Sequence, residues 1–329
     1  MNGLMLVQIK INSRIHTTLI SLHSNGYRQN GGFGFAIEEP SLNIRGENFQ
    51  SFEIIDHRVR GFSMDEKQRL LNVLEQTADQ KNFVQKCIIE ISGDVASHMG
   101  FGTGTAIRLA SLELLYLING SEYTEQEIIN ASGRGGTSGI GIHTYFNGGY
   151  VFDIGRGDQG ENFLPSCATE KHPSSPLALL HEPMPDWEIG LCIPKYIMSK
   201  NEVEEKAFFS QTCPIEPSES YETLYHVVYG VLGGIKEDNR ATFSEAIKNI
   251  QACRWKSAER HLYGDSIKQM EQVLYKAGAT AIGMSSLGAS LFFIAEDMQN
   301  VIKNAKKLLP ECDLSVTRPN NIGRIIIHD

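Results

Sequence analysis

HMGFGTGTAIRL, running from His98 to Leu109, sets three glycines and two threonines directly before a stretch with helical apolar spacing. Gly100, Gly102 and Gly104 let the backbone turn tightly and approach a ligand without Cβ interference. Thr103 and Thr105 add hydroxyl donors. A helix expected from about Thr105 turns its unpaired N–H groups and positive dipole end toward the same spot. Such a turn is a ready anion site, and phosphate is its commonest occupant. The segment is not a P-loop, because no Gly-Lys-Ser/Thr closes it. It also misses the dinucleotide fingerprint, since Thr105 stands where glycine or alanine is required. Taken alone, a silent strand-to-helix turn competes with the anion reading.

Around this loop the chain alternates strands and helices. LMLVQIKI and RIHTTLISL alternate as strands, and FGFAIEEP after Gly31-Gly32 continues an antiparallel start. Ser63 with Glu66, and Thr124 with Glu127, have the spacing of capping boxes that open helices. KCIIEIS reads as the strand feeding the loop. IGIHTYF, Asn147-Gly148 and GYVFDI read as a β-hairpin. The stretch from Gln159 to Pro185 reads as a linker or active-site loop, and helices and strands follow it to the end. Two α+β domains are expected, 1–170 and 171–329.

Composition narrows the function. Thirty basic against 39 acidic side chains, a net charge of −9, argue against a general nucleic-acid surface. A local basic pocket for one phosphorylated ligand remains compatible with that balance. No apolar run reaches membrane-span length, and no signal pattern opens the chain. The six cysteines are scattered without a CxxC pair, so neither a metal finger nor a disulfide framework is expected. The expectation is a reduced cytoplasmic protein without nucleic-acid or membrane partners.

Two further glycine-hydroxyl segments match the first in chemistry: GRGGTSGIG from Gly133 and GMSSLGAS from Gly283. Each can offer backbone N–H groups as an anion nest. Together with RIH at Arg14–His16, GGFGFAIEEP from Gly31, GYVFDIG ending at Gly155 and VTRPNNIG from Val316, their order resembles the GHMP kinase superfamily. Within it, the chain is most similar to the β-ribofuranosylaminobenzene 5′-phosphate synthase family, and the motifs span nearly the whole sequence. The family's kinases carry GLGSS in the central loop; here Thr103 and Gly104 stand where the two serines would fall.

The resemblance implies a GHMP-kinase-like α+β architecture, with a mixed-sheet N-terminal domain and a ferredoxin-like C-terminal domain. It implies an enzyme, a decarboxylating C-ribosyl transferase, that joins phosphoribosyl pyrophosphate to an aromatic or heteroaromatic carboxylic acid such as 4-aminobenzoate. Pyrophosphate and CO₂ are lost, Mg²⁺ is the cofactor, and the assembly is a homodimer. An ATP-dependent small-molecule kinase and a non-catalytic phosphosugar sensor remain as alternatives.

In this reading Gly100, Gly102, Thr103, Gly104 and Thr105 bind the pyrophosphate end. Arg134, Gly135, Gly136, Thr137, Ser138 and Gly139 form a second phosphate site, Arg134 offering a bidentate fork. Arg14 and His16 alternate on one strand face and can share a cleft. Ser285 and Ser286 are expected on a phosphate or on the acceptor carboxylate. His143, expected on a strand beside the second loop, is read with Arg134 and His16 as catalytic, or else as a structural histidine. Asp153 is the expected Mg²⁺ ligand, with Asp94 and Glu39 as competitors.

Overall fold

In the computed structural model, which describes residues 6–24, 26–157, 163–165 and 175–328, the two predicted N-terminal strands are one. β1 (Leu6–Ser21) runs unbroken, with Val7, Ile9, Ile11 and Ile15 alternating into the core. It pairs antiparallel with β2 (Asn30–Phe49). The far side of β2 is shared: Gly32–Phe35 pair with β5 (Tyr150–Asp153), and Leu42–Phe49 with β4 (Lys86–Gly93). β3 (Glu53–Asp56) lies parallel to β4, and β6 (Ala178–Glu182) extends β5. β11 (Ile325–His328) returns from the end of the chain to cover the open edge of β1. The expected boundary at residue 170 therefore does not divide the sheets, because β6 and β11 complete the first one. A second, antiparallel sheet has the order β10 (Cys312–Thr317), β7 (Ile189–Pro194), β9 (Leu291–Ala295), β8 (Ala279–Met284).

α1 (Met64–Lys81) and α3 (Glu125–Ser132) open on the two predicted capping boxes, both formed. α2 (Thr103–Ile118), the helix of the glycine loop, is buried almost all round between the first sheet, α1 and α3. α5 (Glu202–Thr212) and α6 (Pro217–Tyr225) follow β7. A π-helical stretch His226–Leu232 and α7 (Gly233–Lys236) continue the last of these. α8 (Arg240–Ala252), α10 (Asp265–Ala277) and α11 (Met298–Leu308) layer onto the second sheet, while α9 (Arg254–His261) packs against α8 and β1.

One element overturns its sequence reading. Ile140–Asn147, expected as the first arm of a hairpin, is a helix, α4. Its Ile, Thr, Tyr and Phe residues favour strands locally, but here they pack against α2, β1 and β2, and tertiary packing overrides propensity. The Asn-Gly pair then acts as a helix stop rather than a hairpin turn: Gly148, at φ +69, caps α4 before β5 begins. Of the Gln159–Pro185 segment, expected as a linker or loop, residues 159–162 and 166–174 lie outside the described residues, and its later part forms strand β6.

At the centre of α2, fully buried Glu113 ties the chain's end to its middle. Its carboxylate accepts from Tyr123 Oη at 2.9 Å, from Tyr145 Oη, and from Arg324 Nη2 at 2.8 Å and Nε at 3.1 Å. Removing one partner of such a pair leaves the other charge uncompensated. Glu113→Ala is expected to lower the unfolding free energy by about 3–5 kcal/mol in urea titrations, whereas Tyr123→Phe costs about 1 kcal/mol.

Candidate functional site

Helix α2, like α4 and α9, starts without a side-chain cap. Its N-cap is Gly102 in the left-handed region, with no side-chain cap and no acid in the first turn. By contrast, α1, α3 and α5 all begin with a full capping box and acidic first turns. The Thr105 and Ala106 amides turn back to Gly102 O at 3.1 and 3.2 Å, so Thr103 and Gly104 carry the first-turn N–H groups suited to an anion in the adjoining cleft.

The loop before α2 is locked onto the GMSSLGAS turn of the second sheet. Ser285 Oγ donates to Gly100 O at 2.7 Å and accepts from His16 N at 3.1 Å, while Ser286 N donates to His16 O at 2.8 Å. The backbones touch with no space between them. A Cβ at Gly100, which sits at φ +90, would fall 2.1 Å from Ser285 O, and one at Gly288 would fall 2.2 Å from Gly100 N. Arg14 also donates to Gly100 O, and its guanidinium lies against Gly102.

These contacts form one wall of a cleft of about 1130 Å³, room enough for two small substrates. Arg14, Arg60, Arg69, Arg108, Arg134 and Lys200 bring positive charge to it. Burial lowers the Arg14 pKa to about 10. Burial, reinforced by the charges of Arg134 and Arg69, lowers Arg108 to about 9. Arginine stays protonated at neutral pH, so these shifts reflect the cost of burying charged guanidinium groups, to which neighbouring cations add at Arg108. His16 is held well below its usual range by burial first and then by Arg14 and Lys256, so it is neutral. His98 is raised, chiefly by its hydrogen bond to Glu66 at 2.7 Å.

Most of the residues expected from sequence meet in this cleft. Arg14, His16, Gly100, Gly102, Thr103, Gly104 and Thr105 line it, as do Arg134, Gly135, Thr137, Ser138 and Ser286. Five do not: Gly136, Gly139, His143, Asp153 and Ser285. Ser285 is the staple between loops, its hydroxyl spent on Gly100 and His16. His143 sits on α4 instead of a strand, against Gly139 and Pro176, and burial lowers its pKa. Asp153 is fully buried behind the second loop, accepting from Ser138 Oγ and Gly139 N at 3.0 Å and from Gly155 N at 2.9 Å. Burial raises its pKa to about 6 against those donors. It orders the Gly133 loop rather than facing the cleft.

Sequence reasoning missed Arg108, Arg69, Lys200, Lys206 and Glu259. Arg108 was within reach of helical arithmetic, since it stands four residues after Gly104 on the loop's own helix. The others come from distant segments that only the fold brings to the cleft.

For a divalent cation, the cleft offers oxygen ligands of the hard kind that Mg²⁺ prefers. Glu66 is engaged by Ser63 and His98, Glu202 by Arg69 and Lys206, and Glu259 by Lys256. Asp65, in the first turn of α1, makes no ion pair among the described residues. The residues present thus fit a cation that takes one protein carboxylate and completes its shell from phosphate oxygens. Glu222, His226 and Cys253, none of which lines the cleft, bring possible ligand atoms within 4.8 Å of one another. No described helix is long and apolar enough to cross a membrane.

No protein-family profile matches the chain. Among curated proteins, it is 30% identical over 326 residues to the beta-ribofuranosylphenol 5′-phosphate synthase of Archaeoglobus fulgidus, covering 97% of this chain and 98% of that protein. It is 28% identical over 330 residues to the protein of that name from Methanothermobacter thermautotrophicus, covering 98% of this chain and all of the relative. Among solved structures, homoserine kinase from Cytophaga hutchinsonii superposes with a TM-score of 0.70 at 13% identity, over 98% of this chain and 97% of that one. MDDEF in complex with MVAPP, AMPPCP and magnesium does so with a TM-score of 0.67 at 12% identity, over 99% and 100%. At such identities the structures establish the fold alone. It is the GHMP kinase fold, in agreement with the expected architecture.

The crowded arginines set a sign that thermal unfolding and calorimetry can check. Pyrophosphate is expected to raise the melting temperature of the protein. Arg108→Met should raise the stability of the anion-free protein by about 1 kcal/mol, while weakening pyrophosphate binding by about tenfold.

Proposed function

The chain belongs to the beta-ribofuranosylphenol 5′-phosphate synthase family, and on that premise we propose that it is a decarboxylating C-ribosyl transferase. It joins phosphoribosyl pyrophosphate to an aromatic carboxylic acid. The relatives' name specifies a phenol product, whereas the resemblance drawn from the sequence is to an aminobenzene synthase, with 4-aminobenzoate as one example among aromatic acids. A para-hydroxyl and a para-amino group push electron density to the same ring carbon, so 4-hydroxybenzoate and 4-aminobenzoate follow one chemistry.

The bond between the ribose C1′ and the pyrophosphate oxygen breaks, and pyrophosphate leaves with the electron pair. The ring carbon bearing the carboxylate bonds to C1′, and the carbon–carboxylate bond then breaks to release CO₂ and restore aromaticity. Atoms and charge balance without a proton transfer, so the reaction needs no strong general base. That agrees with a cleft histidine, His16, held neutral among cations. Negative charge develops on the leaving group, and fixed N–H dipoles and guanidinium groups stabilise it without reorganisation. The observation carrying this reading is the uncapped start of α2 opening into the arginine-lined cleft. In this reading Gly102–Thr105 and Arg14 hold the pyrophosphate, and Arg134 with the Gly135–Ser138 loop holds the 5′-phosphate. Asp65 is the residue that would hold Mg²⁺, which when bound neutralises phosphate charge. A homodimer and a cytoplasmic location belong to the same proposal.

Incubation with phosphoribosyl pyrophosphate, Mg²⁺ and each of the two acids should release pyrophosphate and CO₂ in equal amounts, with a C-riboside phosphate seen by mass spectrometry. ATP consumption without that release would replace this reading with a kinase. Chelating the metal should stop the reaction, and Asp65→Asn should raise the Mg²⁺ concentration for half-maximal rate about tenfold.

A further inference from the structure

Beneath the GMSSLGAS turn lies an ion pair that neither the sequence motifs nor the chemistry above uses. Lys256 on α9 is fully buried, and its ammonium pairs with Glu259, which is 3% exposed. The same ammonium donates to Met284 O at 2.8 Å and reaches Ser286 O at 3.5 Å. Tyr263 Oη donates to the next carbonyl, Leu287 O. The turn is held in a conformation that a free chain avoids, with Ser286 at φ +54.

This arrangement has a directional consequence. In a trans peptide unit the C=O and the following N–H point opposite ways. With Ser286 O drawn toward Lys256, the Leu287 N–H is turned away from α9, and Leu287 lines the cleft. The Lys256 charge is felt beyond the pair, lowering the pKa values of Arg14's neighbour His16 and adding to the field in the cleft.

Stability does not account for such a pair. Taking two charges out of water costs more than apolar residues of the same volume would, and replacing a buried pair by such residues is often neutral or stabilising. We propose that Lys256 is a positioning residue: by gathering the turn's carbonyls, it aims the Leu287 amide into the cleft as a donor to a substrate oxyanion. The shared chemistry is an anionic oxygen, supplied either by the 5′-phosphate or by the aromatic carboxylate. The inference rests on the proposed function for its substrates, and the test separates the two.

The pair is replaced by Lys256→Met with Glu259→Leu, and independently Tyr263→Phe removes the other carbonyl clamp without touching charge. The double variant is expected to keep the wild-type melting temperature within a few degrees. It should raise KM about tenfold for one substrate and leave kcat within a few-fold. Which KM moves, that of phosphoribosyl pyrophosphate or that of the acid, identifies the oxyanion. Tyr263→Phe should raise the same KM about threefold, and it decides the matter if the double variant does not fold. Unmoved KM values for both substrates in a folded variant overturn the proposal. If the wild-type protein turns over no acid, the function reading fails instead. The comparison is then made on calorimetric affinities for inorganic phosphate and 4-hydroxybenzoate, where unchanged values again overturn it.

Discussion

The backbone contact between Gly100 and the Ser285–Gly288 turn is the constraint on which the rest of the site depends. It joins the loop that opens α2, packed under the first sheet, to the hairpin turn between β8 and β9 of the second. There is no room for a side chain on either glycine, so the separation of the two halves is fixed at backbone distance. The Ser285 hydroxyl then sets their register by bonding both Gly100 and His16. Once that contact is made, Arg14, the α2 amides and the GMSSLGAS turn must share one cleft.

The electrostatics follow from the same closeness. The chain carries a net charge of −9, yet its cleft gathers arginines at the start of a helix left without an acidic cap. The lowered Arg14 and Arg108 pKa values come first from the cost of burial, with neighbouring arginines adding to the shift only at Arg108. Sites that bind phosphate commonly store such a cost, because the ligand's charge offsets it on binding. Acids around the rim moderate the field without cancelling it: Glu202 takes Arg69 and Lys206, and Glu66 takes His98.

Much of the molecule was legible in one dimension because its signals are local. The capping boxes at Ser63 and Thr124 form as their spacing dictates, since N-cap to N3 geometry needs only four consecutive residues. The glycine turns before α2 and between β8 and β9 announce themselves by composition. Where the reading failed, a non-local force had won. Ile140–Asn147 has the side chains of a strand but folds as α4, because packing against α2 and β2 outweighs a weak local preference. Asp153 looked like a metal ligand at a strand end, but three donors of the neighbouring loops claim its carboxylate.

By itself, then, the sequence determined the fold family and the three glycine-hydroxyl turns with the backbone amides they offer. These follow from backbone conformations that only particular residues adopt, and from hydrogen bonds made within a few positions. The tertiary structure alone decided which hydroxyls remain open to the cleft and which, like Ser285, are spent holding it together. It also decided which distant cations converge there, and that Lys256 lies buried beneath the third turn. Side-chain direction and desolvation depend on neighbours far away in the chain, and those neighbours are named only once the chain has folded. The loop after His98 therefore announces its tight turn and its helix start in its own residues, but its arginine wall and its closing contact are properties of the assembled fold.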